Sequence, residues 1–168
     1  MNGAFGIGKT TVARELRRRR PGSAIYDPEW AGLILQRLPR FVRLEGRGTD
    51  DFQDLPLWRR TSLRGIRATR LLRSTVIVPM AFSNLAYLTE LLAGVRRFDP
   101  RVRHFCLTAP FEVVRARLER RGITAWQLRR AAECCAAHRA PEFAEHVATE
   151  ARDAEDVAAE IDMRLGAG

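Results

Sequence analysis

Two hydrophobic patterns alternate along the chain, short apolar runs and longer amphipathic segments. The short runs predict strands at 23–26, 75–80, 102–107 and 146–149. The amphipathic segments predict helices at 11–20, 33–38, 50–73, 84–97, 111–121, 124–138 and 151–165. Strands that alternate with helices predict a parallel sheet with helices on both faces, which is a three-layer α/β/α fold. The length suits one domain, covering 1–168.

The ends of these segments carry residues that stop helices and strands. Pro21-Gly22 follows the first helix, and Gly122 separates the two helices after residue 110. We expect Pro79 to mark the end of its strand, because proline cannot donate a ladder hydrogen bond. The helix at 50–73 is expected to pack its apolar side chains in the core, namely Trp58, Leu63, Ile66 and Leu71.

Residues 3–10 match the phosphate-binding pattern G-x-x-x-x-G-K-[ST] directly before the first helix. Glycines let backbone N–H groups turn inward around phosphate oxygens, and the positive end of the helix dipole adds to the attraction. Lys9 is expected to contact the β- and γ-phosphates of ATP, and the Thr10 hydroxyl to bind Mg²⁺. The predicted site for ATP and Mg²⁺ consists of Gly3, Ala4, Phe5, Gly6, Ile7, Gly8, Lys9, Thr10 and Thr11.

A glycine-rich turn before an ordinary helix is the structural alternative for this segment. A chain of this size matches the pattern by chance well under ~1% of the time. Lys9 is also the only lysine among the 29 lysine and arginine residues of the sequence. An ammonium group stands where a rigid guanidinium fits poorly among phosphates, which favours the phosphate site.

The segment before the loop is short, since Met1 and Asn2 alone precede Gly3. A phosphate loop normally follows a buried central strand, so we expect the first strand of the sheet to be missing or truncated. Two neighbouring strands would then keep unpaired backbone groups, which is costly when they are buried. We expect that restoring an apolar upstream segment raises the melting temperature by more than an ordinary point substitution does.

Asp27 follows the strand at 23–26 and has two interpretations. Before Pro28 it suits the N-cap of a helix. At the carboxyl end of a parallel strand, which we place beside the loop strand, its carboxylate would point into the crevice where α/β sheets bind ligands and would orient an acceptor hydroxyl. The two roles do not exclude each other. No aspartate follows the run at 75–80, so Mg²⁺ would depend on Thr10 and the phosphates, with Asp27 acting through water.

Polar side chains on later helices supply the other candidates. Gln53, Arg59 and Arg60 have no obvious core role and are predicted to border the substrate cleft. Arg117 and Arg121 lie four residues apart, hence on one helix face. Two arginine-rich helices joined at a glycine suit a lid over 115–139 that closes on phosphates. A solvated helix face is the alternative for all these arginines.

Composition narrows the class of protein. With 46% hydrophobic and 29% charged residues the chain is globular. The net charge is +9, but the arginines are spread along helices with few aromatics, so we expect acidic small molecules rather than nucleic acid as partners. The cysteines and histidines lack the spacing of a disulfide framework or a metal site, which favours reduced thiols and a cytoplasmic location. No apolar run reaches the ~18 residues of a membrane span.

The combined segments resemble the TmrB-type tunicamycin-resistance proteins over nearly the whole chain. The resemblance rests on the loop with Asn2, and on Tyr26-Asp27-Pro28-Glu29, Asp50-Asp51-Phe52-Gln53, Pro56-Leu57-Trp58-Arg59, 76–80 and His104-Phe105. It implies an ATP-binding protein with a fold like that of nucleoside kinases and chloramphenicol phosphotransferases. It also implies protection against a uridine-containing nucleoside antibiotic.

From this resemblance and the residues above we predict an ATP-dependent small-molecule phosphotransferase. Its predicted catalytic residues are Lys9, Asp27, Arg117 and Arg121, and Asp27, Gln53 and Arg59 are predicted to contact the acceptor. The alternative is an ATP-dependent protein that sequesters the drug without chemistry. An ATPase switch acting on a macromolecule is less favoured, because a Walker-B acid is lacking. A peripheral membrane contact and a homodimer stay open.

Overall fold

A computed structural model describes residues 1–29 and 52–166, and for Phe52 the backbone alone. The predicted helix at 33–38 lies outside these residues. The described strands are β1 (Asn2–Gly3), β2 (Ser23–Ile25), β3 (Thr75–Ile77), β4 (Cys106–Thr108) and β5 (His146–Ala148). The helices are α1 (Lys9–Arg19), α2 (Pro56–Leu72), α3 (Leu85–Arg96), α4 (Phe111–Glu119), α5 (Ala125–Ala137) and α6 (Ala154–Gly166), and short 3-10 helices cover Phe52–Asp54 and Pro141–Phe143.

Local sequence explains where several helices begin. α2 has Pro56 in its first turn, where a missing N–H costs nothing. α3 is capped by Asn84, whose Oδ1 accepts a hydrogen bond from Ala86 N at 2.9 Å. α5 begins with a capping box, in which Thr124 and Gln127 satisfy each other's backbone N–H groups.

The strands are parallel and their order is that of a doubly wound sheet. β4 lies between β1 and β5, and β2 pairs with β3. A parallel bridge between Asn2 and Met80 joins the two groups, so the spatial order is β2-β3-β1-β4-β5. The parallel α/β fold predicted from the sequence is confirmed.

Two clusters of buried side chains cover the two faces of the sheet. Consecutive strand residues point to opposite faces, and Cys106 belongs to one cluster while Leu107 belongs to the other. The Leu107 cluster contains side chains of α1 and α6, and the Cys106 cluster contains side chains of α2 and α3. These helices therefore form the two outer layers.

Two details differ from the sequence prediction. Leu71, expected in the core, is 80% exposed and lies in the last turn of α2, where Leu72 is exposed as well, whereas Trp58 and Ile66 are buried as expected. The strand predicted at 102–107 begins only at Cys106, the residue at which its pairing with β1 begins. The first strand, β1, is present as the two residues Asn2–Gly3, which pair with β4.

Candidate nucleotide-binding site

The loop between β1 and α1 has the backbone shape that its glycines predict. Gly6 and Gly8 have φ values of 78° and 106°, in the left-handed region that other residues rarely adopt. A Cβ at Gly6 would lie 2.5 Å from Leu118 Cγ, so α4 packs directly against the loop. A Cβ at Gly8 would meet no atom within 4 Å, so there the backbone conformation alone calls for glycine.

The start of α1 offers unsatisfied hydrogen-bond donors to an anion. Its N-cap residue is Gly8, which has no side chain to accept from the first-turn N–H groups, and the first turn contains no acidic residue. Thr10, the second residue of α1, is exposed and carries a hydroxyl group. This arrangement fits a phosphate group, because the N–H groups and the helix dipole both favour negative charge.

Lys9 lies folded back onto the loop. Its Nζ donates a hydrogen bond to Ala4 O at 3.0 Å and lies 5.4 Å from the ring centroid of Phe5. Burial lowers the pKa of Lys9, and the nearby carboxylates of Glu29 and Asp27 act in the opposite direction. A bound phosphate would supply the negative charge that favours the ammonium form.

Asp27 forms a cap, which is one of the two roles that the sequence predicted for it. Its Oδ1 accepts a hydrogen bond from the backbone N of Glu29 at 3.0 Å, which stabilises the turn after β2. The sequence placed β2 beside the loop strand, and this is wrong, because β3 lies between β2 and β1. Asp27 nevertheless contributes to the electrostatic environment of Lys9, as does Glu29, which the sequence analysis did not single out.

Arg117 connects three parts of the site. Its guanidinium donates to Ile7 O in the loop at 3.2 Å, and to Thr149 O and Oγ1 after β5 at 3.0 and 3.4 Å. Arg121 is exposed and points to none of these groups. The structure therefore separates two arginines that the helical spacing had grouped, and their catalytic roles stay predictions.

A second contact between the loop and the α4–α5 pair is aromatic. The ring centroids of Phe5 and Trp126 lie 5.9 Å apart in an edge-to-face arrangement. Trp126 lies in the first turn of α5, two residues after the Thr124 cap. The helices α4 and α5, which overlap the predicted lid segment at 115–139, thus contact the phosphate loop from one side.

Gln53 and Arg59 are engaged with protein groups. Gln53 is buried and donates to Ala81 O at 3.2 Å. Arg59 donates to Gln53 O and to Glu90, both at 2.7 Å, and its guanidinium lies 4.3 Å from the Tyr87 ring centroid. The contacts of Arg59 with Glu90 and Tyr87 connect α2 to α3. A role of Gln53 and Arg59 in substrate binding stays a prediction.

A buried network that the sequence analysis missed holds the segment after β3. Asn2 accepts from Phe82 N at 2.8 Å and donates to Phe82 O at 3.0 Å. His138 Nε2 lies 2.6 Å from the same oxygen, so Nε2 carries the proton. Burial lowers the pKa of His138, which favours the neutral form of the ring. The one feature of the sequence that could have pointed to this network was Asn2, the asparagine directly before Gly3.

A cleft of about 420 Å³ opens between the loop and the helices that follow β4. Its walls come from the loop, the ends of β4 and β5, and the last turn of α5, and include Ile7, Thr108, Pro110, His138 and Glu150. Ligands of parallel α/β sheets bind at the carboxyl ends of the strands, and this cleft lies there.

Metal ligands are sparse in the part of the chain that the structure describes. It contains no group of three or more histidine, cysteine, aspartate or glutamate side chains that could hold a metal ion. Thr10 beside a phosphate site fits Mg²⁺, since Mg²⁺ commonly takes few protein ligands and completes its shell with phosphate oxygens and water.

Across residues 1–29 and 52–166 no helix has both the length and the apolar character needed to cross a membrane.

The geometry of the loop agrees with comparisons to known proteins. The profile of a family described as AAA domain matches residues 1–133, which include the loop, Asp27 and Arg117. The chain belongs to this AAA domain family. No curated protein matches it. Within the family match, the segment from β1 to most of α5 contains each predicted site residue.

Solved structures add detail to the AAA domain assignment. The tunicamycin resistance protein of Deinococcus radiodurans is 28% identical, with a TM-score of 0.78, over 98% of this chain and 93% of that one. This similarity confirms the resemblance noted in the sequence. Two kinases share the fold. A gluconokinase from Sinorhizobium meliloti is 19% identical, with a TM-score of 0.61, over 98% of this chain and 89% of that one. A shikimate kinase from Acinetobacter baumannii is 17% identical, with a TM-score of 0.58, over 99% of this chain and 90% of that one.

Proposed function

We propose that this protein transfers the γ-phosphoryl group of ATP to a hydroxyl group of a tunicamycin-like nucleoside antibiotic, and so protects the cell from the drug. The observation that carries the proposal is the uncapped start of α1, with Gly8 in a left-handed conformation and Lys9 directly after it. The similarity to a tunicamycin resistance protein supports the choice of acceptor.

The loop residues would bind the phosphates. The N–H groups at the start of α1 and the ammonium group of Lys9 would hold the phosphate oxygens, and Thr10 would hold Mg²⁺. When bound, ATP supplies the phosphoryl group and Mg²⁺ offsets its negative charge. Lys9 would leave Ala4 O for the phosphates, because an anion compensates the cost of its burial better than a carbonyl group does.

Asp27 would orient the acceptor. Phosphoryl transfer with a dissociative transition state needs little early proton abstraction, so a carboxylate contributes mainly by positioning the attacking hydroxyl. Such a group contributes about 10²- to 10⁴-fold in rate. The cap to Glu29 N fixes the carboxylate at the end of β2, and its electrostatic effect on Lys9 supports a position near the phosphates.

The α4–α5 pair would keep water away from the reacting groups. Arg117 bonds to Ile7 O, and Trp126 packs on Phe5, so both helices contact the loop that would hold the phosphates. Exclusion of water strengthens electrostatic interactions in the site and prevents hydrolysis of ATP. We propose a cytoplasmic location, where ATP is available and where the buried thiols, such as Cys106 with its pKa raised to about 12 by burial, stay reduced.

The deciding experiment is incubation with ATP, Mg²⁺ and tunicamycin, followed by mass spectrometry of the drug. An added phosphate group, absent with the Lys9→Ala variant, is the expected result. Unmodified drug that stays bound to the protein would instead indicate sequestration, the alternative that needs no chemistry. Unmodified drug with no binding would refute both.

A further inference from the structure

Several distant parts of the chain meet at the two residues Ala81 and Phe82, which follow β3. Both residues are almost completely buried, with 1% and 0% of their surface exposed. Their backbone carbonyls accept hydrogen bonds from side chains of β1, of the first 3-10 helix and of the end of α5. The donors are Asn2, Gln53, Cys134 and His138. This short segment therefore connects elements that are far apart in the sequence.

The last turn of α5 contacts the segment with two side chains. Cys134 Sγ lies 3.6 Å from Ala81 O, and His138 Nε2, at the C-cap of α5, lies 2.6 Å from Phe82 O. Side chains four residues apart share a helix face, so both donors reach consecutive carbonyls. A thiol is a weak donor, whereas the imidazole N–H is a full one. His138 therefore provides the stronger of these two bonds between α5 and the segment.

The strand that enters the phosphate loop binds the same carbonyl. Asn2 Nδ2 donates to Phe82 O at 3.0 Å, and Asn2 Oδ1 accepts from Phe82 N at 2.8 Å. Asn2 Nδ2 and His138 Nε2 lie 3.2 Å apart, because both donate to this one oxygen. Asn2 directly precedes Gly3, the first residue of the loop pattern. One buried carbonyl thus joins the end of α5 to the start of the phosphate loop.

The side chain of Phe82 reaches a third part of the site. Its ring centroid lies 5.9 Å from that of Trp58 in an edge-to-face arrangement. Trp58 Nε1 in turn donates to Pro28 O at 2.9 Å. Pro28 is fully buried and stands between Asp27 and Glu29, in the turn after β2. Phe82 therefore connects to this turn through its ring and to the loop and α5 through its backbone.

We propose that His138 is a positioning residue for phosphoryl transfer: through Phe82 it holds the end of α5, the phosphate loop and the turn at Asp27 in one fixed arrangement. This inference rests on the proposed function, which gives these three parts their roles. Trp126 at the other end of α5 packs on Phe5 of the loop, so His138 fixes the helix at its second end. A misplacement of about 1 Å costs about 10²-fold in rate even when the substituted residue is far from the chemistry.

Two substitutions of His138 in the full chain separate the hydrogen bond from the volume of the side chain. The amide nitrogen of glutamine reaches the position of the histidine Nε2, so His138→Gln keeps a donor to Phe82 O. Asparagine is one carbon shorter, so His138→Asn stays polar but loses this bond. The matched control is His104→Gln, which removes a histidine whose Nδ1 lies 2.9 Å from Ala144 O, away from Phe82.

The first measurement is the rate of phosphate transfer from ATP to tunicamycin. We expect His138→Asn to lower kcat about tenfold or more while the KM for ATP changes less than about threefold, because Lys9 and the start of α1 are untouched. His138→Gln and His104→Gln are expected to stay within about threefold of the wild-type kcat. Trp58→Phe keeps a ring beside Phe82 but loses the bond to Pro28 O, and we expect a loss of kcat like that of His138→Asn.

The second measurement needs no substrate. Urea denaturation of His138→Asn, Trp58→Phe and the double variant shows whether the two residues act through Phe82. Residues in one network have non-additive effects, so we expect the changes in the unfolding equilibrium constant to depart from additivity by about threefold or more. The effects of His104→Gln and Trp58→Phe are expected to add to within about twofold.

The outcomes distinguish this inference from the proposed function. If the wild-type protein transfers no phosphate to the drug, the proposed function fails, and additivity of His138→Asn with Trp58→Phe would then overturn the network by itself. If the wild-type protein is active, a normal kcat in His138→Asn overturns the positioning role, as does a His138→Gln variant that is equally slow. If His138→Asn does not fold, a normal kcat in Trp58→Phe overturns it.

Discussion

Arg117 provides the sharpest test of how the site is held together. Its guanidinium ties α4 to the phosphate loop at Ile7 O and to the segment after β5 at Thr149. Arg117→Ala removes these contacts. Arg121→Ala, four residues further on and just beyond the end of α4, removes an exposed side chain of the same type and is the matched control.

The magnitude follows from the contacts. Hydrogen bonds from a charged donor contribute about 1.5–3 kcal/mol each when buried, but this site is half-buried, and water can reach the freed carbonyls. We therefore assign about 1 kcal/mol per contact and expect a loss of about 2–3 kcal/mol in the free energy of unfolding. For a domain of this size that corresponds to about 4–12 °C in melting temperature. Arg121→Ala is expected to change stability by less than about 0.5 kcal/mol.

Urea denaturation gives the free energy of unfolding, and calorimetric titration gives the affinity for ATP. Arg117→Lys keeps the charge but not the planar fork, so it is expected to recover less than half of the lost stability. If Arg117→Ala is as stable as Arg121→Ala, the hydrogen bonds contribute nothing and the structural role is refuted. If Arg117 also contacts the phosphoryl group during transfer, kcat of the folded Arg117→Ala variant falls by about 10²-fold or more while its affinity for ATP changes little. Equal losses in kcat and in ATP affinity would show that the role of Arg117 is structural alone.

Three further predictions concern single residues. Lys9→Ala is expected to abolish ATP-dependent activity without unfolding the domain, and unchanged ATP affinity in calorimetry would contradict the phosphate site. Asp27→Asn keeps the cap but loses the charge, so we expect normal folding and ATP binding with at least about a 10²-fold loss of turnover; drug resistance that survives without phosphorylated drug would favour sequestration. Burial lowers the pKa of His104 from 6.5 to about 4, so the unfolded chain takes up this proton first and stability is lost as the pH falls from 6.5 towards 4. The urea midpoint is expected to be lower at pH 5 than at pH 7.5, with a smaller difference in His104→Gln, and an equal difference would exclude His104 as a cause.

The sequence by itself determined the features that depend on neighbouring residues. The loop at 3–10, the start of α1 and the caps at Asn84 and Thr124 are local, because a motif or a cap needs residues within about four positions of each other. The parallel α/β fold followed from the alternation of strand and helix patterns for the same reason. The cap predicted at Asp27 was correct and is local too, since its partner Glu29 is two residues away.

Tertiary structure alone decided which distant residues meet. The helical spacing treated Arg117 and Arg121 alike, but the partners of Arg117 are 110 and 32 residues away, and periodicity does not report such separations. The same holds for the buried contact of His138 with Phe82, and for β3 lying between β2 and β1. Leu71 carries an apolar side chain in a helical pattern, yet it is exposed, because burial depends on what lies opposite a helix face and not on the face alone. Sequence patterns specify elements and their apolar sides, whereas strand order and long-range pairing follow from how the whole chain packs.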